Sequence, residues 1–248
     1  MPSLKTNKIV TVIMGQNCEK FIGMCLESVK DSDAIVYCDG GSDDRTMEIA
    51  SRFSAKYDMG VVRIIQNEYD QGDLGMNGKQ RNFYLNYVKE HYPDHWCLCL
   101  DADEVVKDFS RIQKFINETP EGVYSVHMRH LIGDLAHEDS TVDKHYVLNR
   151  LFKINCAEAY PEVEHPVLQG KSTSQIANTD CTTIWHLAYV PNMWDIKKRF
   201  DNHMRKSNMH TPDYLKSWYT AHLFGTYPRK QFDPVELPEP ILKEFGFT

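Results

Sequence analysis

Three carboxylates that follow directly on an apolar run, Asp101, Asp103 and Glu104, are the residues best placed for metal chemistry. The run, residues 96–100 (WCLCL), has no charged side chain and predicts a buried strand. Carboxylates this close together repel one another in a low-dielectric setting unless a cation lies among them or one binds a proton. The end of this strand is therefore a candidate metal site, and the alternative is an acidic turn in solvent.

Two other polar segments follow predicted strands earlier in the chain. Gly15-Gln16-Asn17 comes after the β-branched run 8–14 (KIVTVIM), and the turn 39–46 (DGGSDDRT) comes after the run 34–38 (AIVYC). Ligands of open parallel sheets bind beyond the carboxyl ends of the strands, where all three segments are expected to meet. Asp39 can there accept a hydrogen bond from a nucleobase, although a turn that only begins a helix remains an alternative.

The order of predicted elements sets the fold class. Strands and helices alternate up to residue 105, which predicts a mainly parallel sheet with helices on both faces and the run 96–100 near its centre. Further strands are expected at 122–130, 146–153, 163–168 and 182–190, with few helices between them, so the whole sheet should be mixed. We expect one domain over residues 1–190, in two halves that meet at residue 105. Residues 191–248 should add a helical extension and an extended, proline-containing tail packed on the same domain.

Composition excludes several function classes. The chain has 35 acidic and 28 basic residues, a net charge of −7 and no basic run, which argues against a nucleic-acid surface. No stretch approaches the roughly 18 apolar residues of a membrane span, although peripheral membrane contact stays open. Residues 1–8 lack the apolar core of a secretion signal, and seven scattered cysteines indicate reduced thiols, so a cytoplasmic protein is expected.

Four segments taken together carry a family resemblance: IVTVIMGQN, DGGSDDRT, GKQRN and CLCLDADE. In this order and spacing they resemble the family 2 glycosyltransferases, nucleotide-sugar-dependent enzymes with the Rossmann-like GT-A fold. The likeness covers roughly the first 105 residues. The later segments RLFK, EVEHPVL and WHLAY resemble, more loosely, the branch with an Asp-Ala-Asp-Glu motif that includes lipopolysaccharide-core-type transferases.

The resemblance implies a reaction and a set of site residues. A sugar would pass from a nucleotide-diphosphate donor, with UDP favoured, to a hydroxyl of a carbohydrate or glycoconjugate acceptor with inversion. Asp103 would bind Mn²⁺ or Mg²⁺, with Asp101 contacting the ribose or the metal's water shell and His186 completing the ligands; a core histidine is the alternative for His186. The implied nucleotide-binding residues are Gly15, Gln16, Asn17, Asp39, Arg81, Asp101 and Ala102.

An inverting transfer also needs a base for the acceptor hydroxyl, and the segment Glu162-Val163-Glu164-His165-Pro166 is the candidate region. Proline stands here where related sequences have the glutamate of a His-Glu block. If the segment is a strand, Glu162 and Glu164 lie on one face and His165 on the other. We favour Glu164, then Glu162, then His165.

Two departures from the family pattern and three alternative functions remain. Met14 and Gly40 replace a proline and an aspartate that are common in the family. The motif at 101–105 also fits haloacid-dehalogenase-type phosphatases, with Asp101 as nucleophile and Asp103 as acid or base. A sugar nucleotidyltransferase would need a glycine-rich, arginine-containing loop that residues 14–20 lack, and a non-catalytic nucleotide-sugar-binding protein would have little use for the carboxylate cluster.

Overall fold

The fold is taken from a computed structural model of the chain. It describes residues 7–57, 62–70, 73, 75–141, 148–163, 165–190, 197, 200–201 and 212–246.

The first half alternates strands and helices, as the sequence predicts. Its elements are β1 (Ile9–Gly15), α1 (Ile22–Ser28), β2 (Ala34–Asp39), α2 (Thr46–Lys56), β3 (Val62–Gln66), α3 (Met76–His91) and β4 (Trp96–Asp101). The four strands are parallel in the order β4-β1-β2-β3, with Met14 opposite Asp101 and Gly15 opposite Asp39. The carboxyl ends of β1, β2 and β4 therefore lie at one level, which confirms the expected meeting of the polar segments.

The second half adds mostly antiparallel pairs and makes the sheet mixed, also as predicted. Its elements are β5 (Glu104–Val106), α4 (Phe109–Glu118), β6 (Gly122–Ile132), β7 (His137–Asp139), β8 (Asn149–Lys153), β9 (Ala157–Ala159), β10 (Gln169–Gly170), β11 (Gln175–Tyr189), α5 (Pro212–Leu223), β12 (Arg229–Gln231) and α6 (Glu239–Glu244). The strand order β12-β7-β6-β8-β4-β1-β2-β3 puts β4 inside the sheet. β11 pairs in parallel with β6 and antiparallel with β5, which brings His186 opposite Glu104.

Side-chain alternation along the central strands builds a core on each face of the sheet. Trp96, Leu98 and Leu100 of β4 pack with α1, α2 and α4 on one face, whereas Cys97 and Cys99 pack with α3 on the other. All five are fully buried, as their uniformly apolar run predicts. This double-sided burial holds the carboxyl end of β4, and with it Asp101, in a fixed position.

Two expectations need correction. Residues 163 and 165–168 form no strand: Val163 donates to the Pro161 carbonyl in a tight turn, and Pro166 has no N–H to give to a ladder. The C-terminal tail is not merely extended, because it contains β12 and α6 and buries Phe232, Leu237 and Ile241 in a third apolar cluster with Trp185. The helical composition expected from residue 193 is seen in α5, and residues 191–196 and 202–211 lie outside the described part.

No helix in the described part of the chain is long and apolar enough to cross a bilayer.

Candidate functional site

A cavity of about 530 Å³ lies at the carboxyl ends of β1 and β4, a volume typical of small-molecule sites. Most of the residues predicted to form the site line it. They are Gly15, Gln16, Asn17, Arg81, Asp101, Ala102, Asp103, His165 and His186. Asp39 and Glu162 do not line the cavity, and Glu164 lies outside the described residues.

The glycine at the end of β1 allows two strand ends to approach closely. A Cβ on Gly15 would lie 2.7 Å from both the Ala102 Cβ and the Cys18 Sγ, closer than real Cβ contacts. The Ala102 N–H donates to the Met14 carbonyl at 2.9 Å and holds the loop after β4 against β1. A side chain at position 15 would therefore separate the strand ends that form the cavity floor.

Asp39 lies in its own turn and does not line the cavity, and its contact with a nucleotide stays a prediction. Its side chain has no exposed surface. One carboxylate oxygen accepts the N–H groups of Gly41 and Ser42 at 3.0 Å, and the other accepts the hydroxyls of Ser42 at 2.6 Å and Tyr37 at 3.2 Å. These contacts fit the turn alternative raised from the sequence, because the acceptor capacity of this carboxylate is used inside the turn.

Gln16 and Asn17 tie the loop after β1 to the turn after β2. The Gln16 side-chain amide donates to the Gly41 carbonyl at 3.1 Å, and the Asn17 Oδ1 accepts the Asp43 N–H at 2.9 Å. Asn17 has φ +55°, in the left-handed region that asparagine tolerates better than most residues. The two loops thus form one connected rim beside the cavity.

The glycine at position 40 makes room for an aromatic ring. A Cβ there would lie 1.8 Å from the Tyr69 ring, and the Tyr69 N–H donates to the Gly40 carbonyl at 2.9 Å. Tyr69 lines the cavity. The departure from an acidic residue at position 40 therefore has a local reason: the tyrosine occupies the space that a side chain would need.

The first carboxylate of the motif is held by two buried arginines. Arg81 of α3 donates to both oxygens of Asp101, at 2.7 and 3.1 Å, and Arg150 of β8 donates to one of them at 3.0 Å. Arg150 also bonds to one oxygen of Glu104, whose other oxygen accepts the Asp101 N–H at 2.9 Å. Two guanidinium groups and two carboxyl groups thus form one network, which assigns Glu104 a structural role that the sequence left open.

The network shifts the acidities of its carboxyls in opposite directions. Burial by itself would raise the pKa of Asp101, but Arg81 and Arg150 outweigh it and hold that pKa well below the usual range. Burial raises the pKa of Glu104 to about 8, against the opposing charge of Arg150. Asp101 is therefore a permanently ionised group that orients two guanidinium groups at the cavity wall.

The second aspartate faces a histidine instead of an arginine. The His186 Nε2 lies 3.7 Å from an Asp103 oxygen, and both side chains are about one-sixth exposed, at 16% and 17%. The Asp103 carbonyl accepts the Leu187 N–H at 2.9 Å, which fixes the two segments beside each other. On the other side, the His186 Nδ1 is 2.8 Å from the Nδ1 of His130.

This pair fits the cation that the sequence implies. Carboxylate oxygen and imidazole nitrogen are ligands of Mn²⁺, and Mg²⁺ is often bound by only one or two carboxylates with water and a ligand's oxygens. Among the described residues, no three His, Cys, Asp or Glu side chains converge on one point. A cation beside Asp103 and His186 would therefore take its remaining ligands from water or a bound molecule.

The segment proposed to supply a base is docked on α3. Asn82 donates from its amide to the Tyr160 carbonyl and accepts the Tyr160 N–H, both at 2.8 Å. Gly78 allows this contact, because a Cβ there would lie 2.1 Å from the Pro161 carbonyl oxygen. Glu162 is exposed on the outer side, 4.0 Å from Lys79, whereas His165 lines the cavity.

Sequence reasoning missed Arg150, His130 and Tyr69 as cavity residues. Arg150 lies in the RLFK segment that carries the family resemblance, so a signal existed, but its alternation in β8 predicts only a strand. His130 follows from no motif in the sequence. Its place depends on the pairing of β6 with β11, 56 residues apart.

Comparison with known proteins identifies the family. Residues 11–158 match the model of glycosyl transferase family 2, more than half of the chain, and the chain belongs to that family. This decides against the phosphatase alternative. No curated protein matches the chain.

Solved structures share the GT-A fold at low sequence identity. S. aureus TarS is 15% identical with a TM-score of 0.50, over 88% of this chain and 43% of that one. A mannosyltransferase from Pyrobaculum calidifontis, PcManGT, solved with GDP-Man and Mn²⁺, is 11% identical with a TM-score of 0.49, over 100% of this chain and 71% of that one. The chain thus spans less than half the length of TarS.

Proposed function

We propose that this protein is a divalent-metal-dependent glycosyltransferase that moves a sugar from a nucleotide-diphosphate sugar to an acceptor hydroxyl, with inversion. The acceptor class is a carbohydrate, a lipid-linked sugar or a glycoprotein. The observation that carries the proposal is the placement of Asp103 and His186, 3.7 Å apart, in a cavity that Arg81 and Arg150 also line. Family membership supplies the reaction class.

Each part of the donor has a matching group in the cavity. Asp103 and His186 would hold Mn²⁺ or Mg²⁺, which when bound neutralises a departing diphosphate. The guanidinium groups of Arg81 and Arg150 add positive charge to the same wall. The nucleoside would lie on the rim formed by Gly15, Gln16 and Asn17, with Ala102 beneath it.

UDP remains our favoured donor nucleotide, as the sequence suggested. The Asp39 carboxylate is enclosed in its turn, so a base edge would have to be recognised by other rim groups. Gln16 and Tyr69 both line the cavity there and offer an amide and an aromatic face. A donor screen therefore tests UDP against GDP, dTDP and CMP sugars on equal terms.

The base that deprotonates the acceptor hydroxyl is assigned to residues 162–165. Glu164 is the first candidate from the sequence, and His165 is supported by its position in the cavity wall. Glu162 is the weakest of the three, because its exposed carboxylate faces Lys79 on the outer side. Substituting each residue alone should locate the base by the loss of turnover without loss of donor binding.

The remaining assignments concern location and organisation. The seven cysteines are free thiols, including Cys97 and Cys99, whose Sγ atoms lie 3.7 Å apart without a disulfide, and free thiols suit the reducing cytoplasm. Peripheral membrane contact would bring a lipid-linked acceptor within reach. Residues 1–190 would form the catalytic domain, with 1–105 for the donor and 106–190 for the acceptor. Residues 191–248 would close the acceptor side.

A binding screen tests the proposal directly. The melting temperature of the protein is measured with UDP-, GDP-, dTDP- and CMP-sugars, each with and without Mn²⁺. A ligand at 100 times its dissociation constant stabilises by about 2.7 kcal/mol, roughly 5–10 °C in a domain of this size. Asp103→Asn should remove the metal-dependent part of the rise, whereas Asp31→Asn, an exposed residue away from the cavity, should leave it intact.

Turnover separates the remaining alternatives. Release of nucleoside diphosphate from the donor that binds, dependent on Mn²⁺ and lost in Asp103→Asn, supports the transferase. Metal-dependent binding without release of product under any acceptor tested would favour a non-catalytic binding protein. Hydrolysis of p-nitrophenyl phosphate with Mg²⁺ that Asp101→Asn abolishes would overturn the transferase proposal.

A further inference from the structure

His130 and His186 lie opposite each other on neighbouring strands at the back of the candidate cation site. They are register partners of β6 and β11, and their rings meet edge to face with centroids 4.9 Å apart. The two Nδ1 atoms are 2.8 Å apart, a hydrogen-bond distance. At that separation only one Nδ1 carries the shared proton, so one ring donates and the other accepts.

The other nitrogen of His186 decides which way this bond must run when a cation is present. Nε2 faces Asp103 and can bind a metal only through its lone pair, without a proton. A neutral imidazole that binds metal through Nε2 carries its proton on Nδ1. That proton then needs an acceptor, and the His130 Nδ1 is at hydrogen-bond distance.

We propose that His130 is a positioning residue for the cation: it accepts the Nδ1 proton of His186 and thereby holds His186 in the tautomer and ring orientation that present Nε2 beside Asp103. This inference rests on the proposed metal-dependent function. Outer partners of this kind orient metal-binding histidines and raise their basicity. His130 itself would carry its proton on Nε2.

The strand pair provides a matched control. Three residues before His130, His127 lies on the same strand, and its Nδ1 is 3.3 Å from the Thr183 hydroxyl of β11. The two histidines therefore have the same residue type, the same strand pair and a comparable cross-strand contact. They differ in the partner: His130 contacts the candidate metal ligand His186, whereas His127 contacts Thr183.

The experiment measures Mn²⁺ affinity by electron paramagnetic resonance of free Mn²⁺, in the presence of the nucleoside diphosphate found in the donor screen. His130→Leu should weaken Mn²⁺ binding by roughly 10- to 100-fold, the range for outer-shell partners. His130→Asn should restore most of the affinity, because its side-chain oxygen can accept near the position of Nδ1. His127→Leu should bind Mn²⁺ like the wild type, and melting temperatures identify any variant that is misfolded.

Each outcome has a distinct meaning. Unchanged affinity in His130→Leu overturns the inference while leaving the proposed function intact. Equal losses in the Leu and Asn variants, or an equal loss in His127→Leu, would show a packing effect and also overturn it. If the wild-type protein binds no Mn²⁺ but still binds and turns over a nucleotide sugar, the metal dependence fails together with the inference, and the transferase assignment stands.

Discussion

Replacing Arg150 by methionine should be the most destabilising change at the edge of the cavity. The Arg150 side chain is 2% exposed and bonds to Asp101 and Glu104, and Glu104 is itself 1% exposed. Methionine keeps the aliphatic stem but removes the charge. Glu104 would then keep only the N–H of Asp101, whereas Asp101 would still be bound by Arg81.

The magnitude follows from the burial of the pair. Arg150 forms a buried ion pair with the ionised Asp101 and also bonds to Glu104. Removing one partner of a buried ion pair costs about 3–5 kcal/mol, because the groups left behind lose their compensation. For a domain of this size each kcal/mol lowers the melting temperature by about 2–4 °C, so Arg150→Met should melt roughly 6–20 °C below the wild type. Urea denaturation measures the free energy of unfolding directly.

A double-mutant cycle and a surface control make the reasoning testable. Arg150→Met combined with Glu104→Gln should cost clearly less than the sum of the single changes, because each single change already removes the bond between these two side chains. Arg52→Met removes an exposed pair with Glu48, 73% and 43% exposed, and should cost less than about 1 kcal/mol. The reasoning is refuted if Arg150→Met costs no more than Arg52→Met, or if the two changes at 150 and 104 are strictly additive.

Three further changes probe other features. Asp39→Asn should cost only about 1–2 kcal/mol of stability, because the amide oxygen still accepts the two turn N–H groups and the amide N–H can donate to the turn hydroxyls. Asp39→Leu should cost clearly more, because leucine makes none of these hydrogen bonds. Urea denaturation compares the two variants, and equal costs would contradict the turn role. Gly78→Ala should destabilise by about 1–3 kcal/mol and lower turnover, since its methyl would meet the Pro161 carbonyl; wild-type turnover would show that this docking is unimportant. Burial lowers the pKa of His222 to about 4 in the folded protein. In the unfolded chain this histidine binds its proton near pH 6.5, so between about pH 6.5 and 4 the unfolded chain binds a proton that the folded protein does not. Stability should therefore fall by roughly 2–3 kcal/mol between pH 6.5 and 4, and His222→Phe should flatten that slope in denaturation curves measured across this range; an unchanged slope would refute the assignment.

The sequence predicted the central strands well because their burial is total. A short, wholly apolar run such as residues 96–100 predicts a buried strand. Strands that alternate with helices predict a parallel sheet, which restricts the possible topologies to a few. Their carboxyl ends then had to meet, which is why Gly15 and Asp103 are found around one cavity, whereas Arg81 and His186 were predicted from the family resemblance alone. These predictions depend on local composition and on the shared direction of the strands.

The errors arise where long-range contacts decide the outcome. The strand predicted for residues 163–168 does not form, because Pro166 has no N–H for a strand ladder and the preceding backbone at Tyr160 is bound to α3. Arg150 meets Glu104 across 46 positions, a pairing that only the register of β8 beside β4 determines.

The docking of Tyr160 on α3 links two parts of the molecule that the reaction would use at different moments. Arg81 and Asn82 are consecutive residues of α3. Arg81 donates to the Asp101 carboxylate at the end of β4, and Asn82 donates to the Tyr160 carbonyl in the backbone that leads to His165. A ligand that draws Arg81 away from Asp101 must displace α3 or rotate its side chain within a buried setting. A displacement of α3 would therefore also displace the backbone that leads to His165, because consecutive residues of this helix hold both contacts.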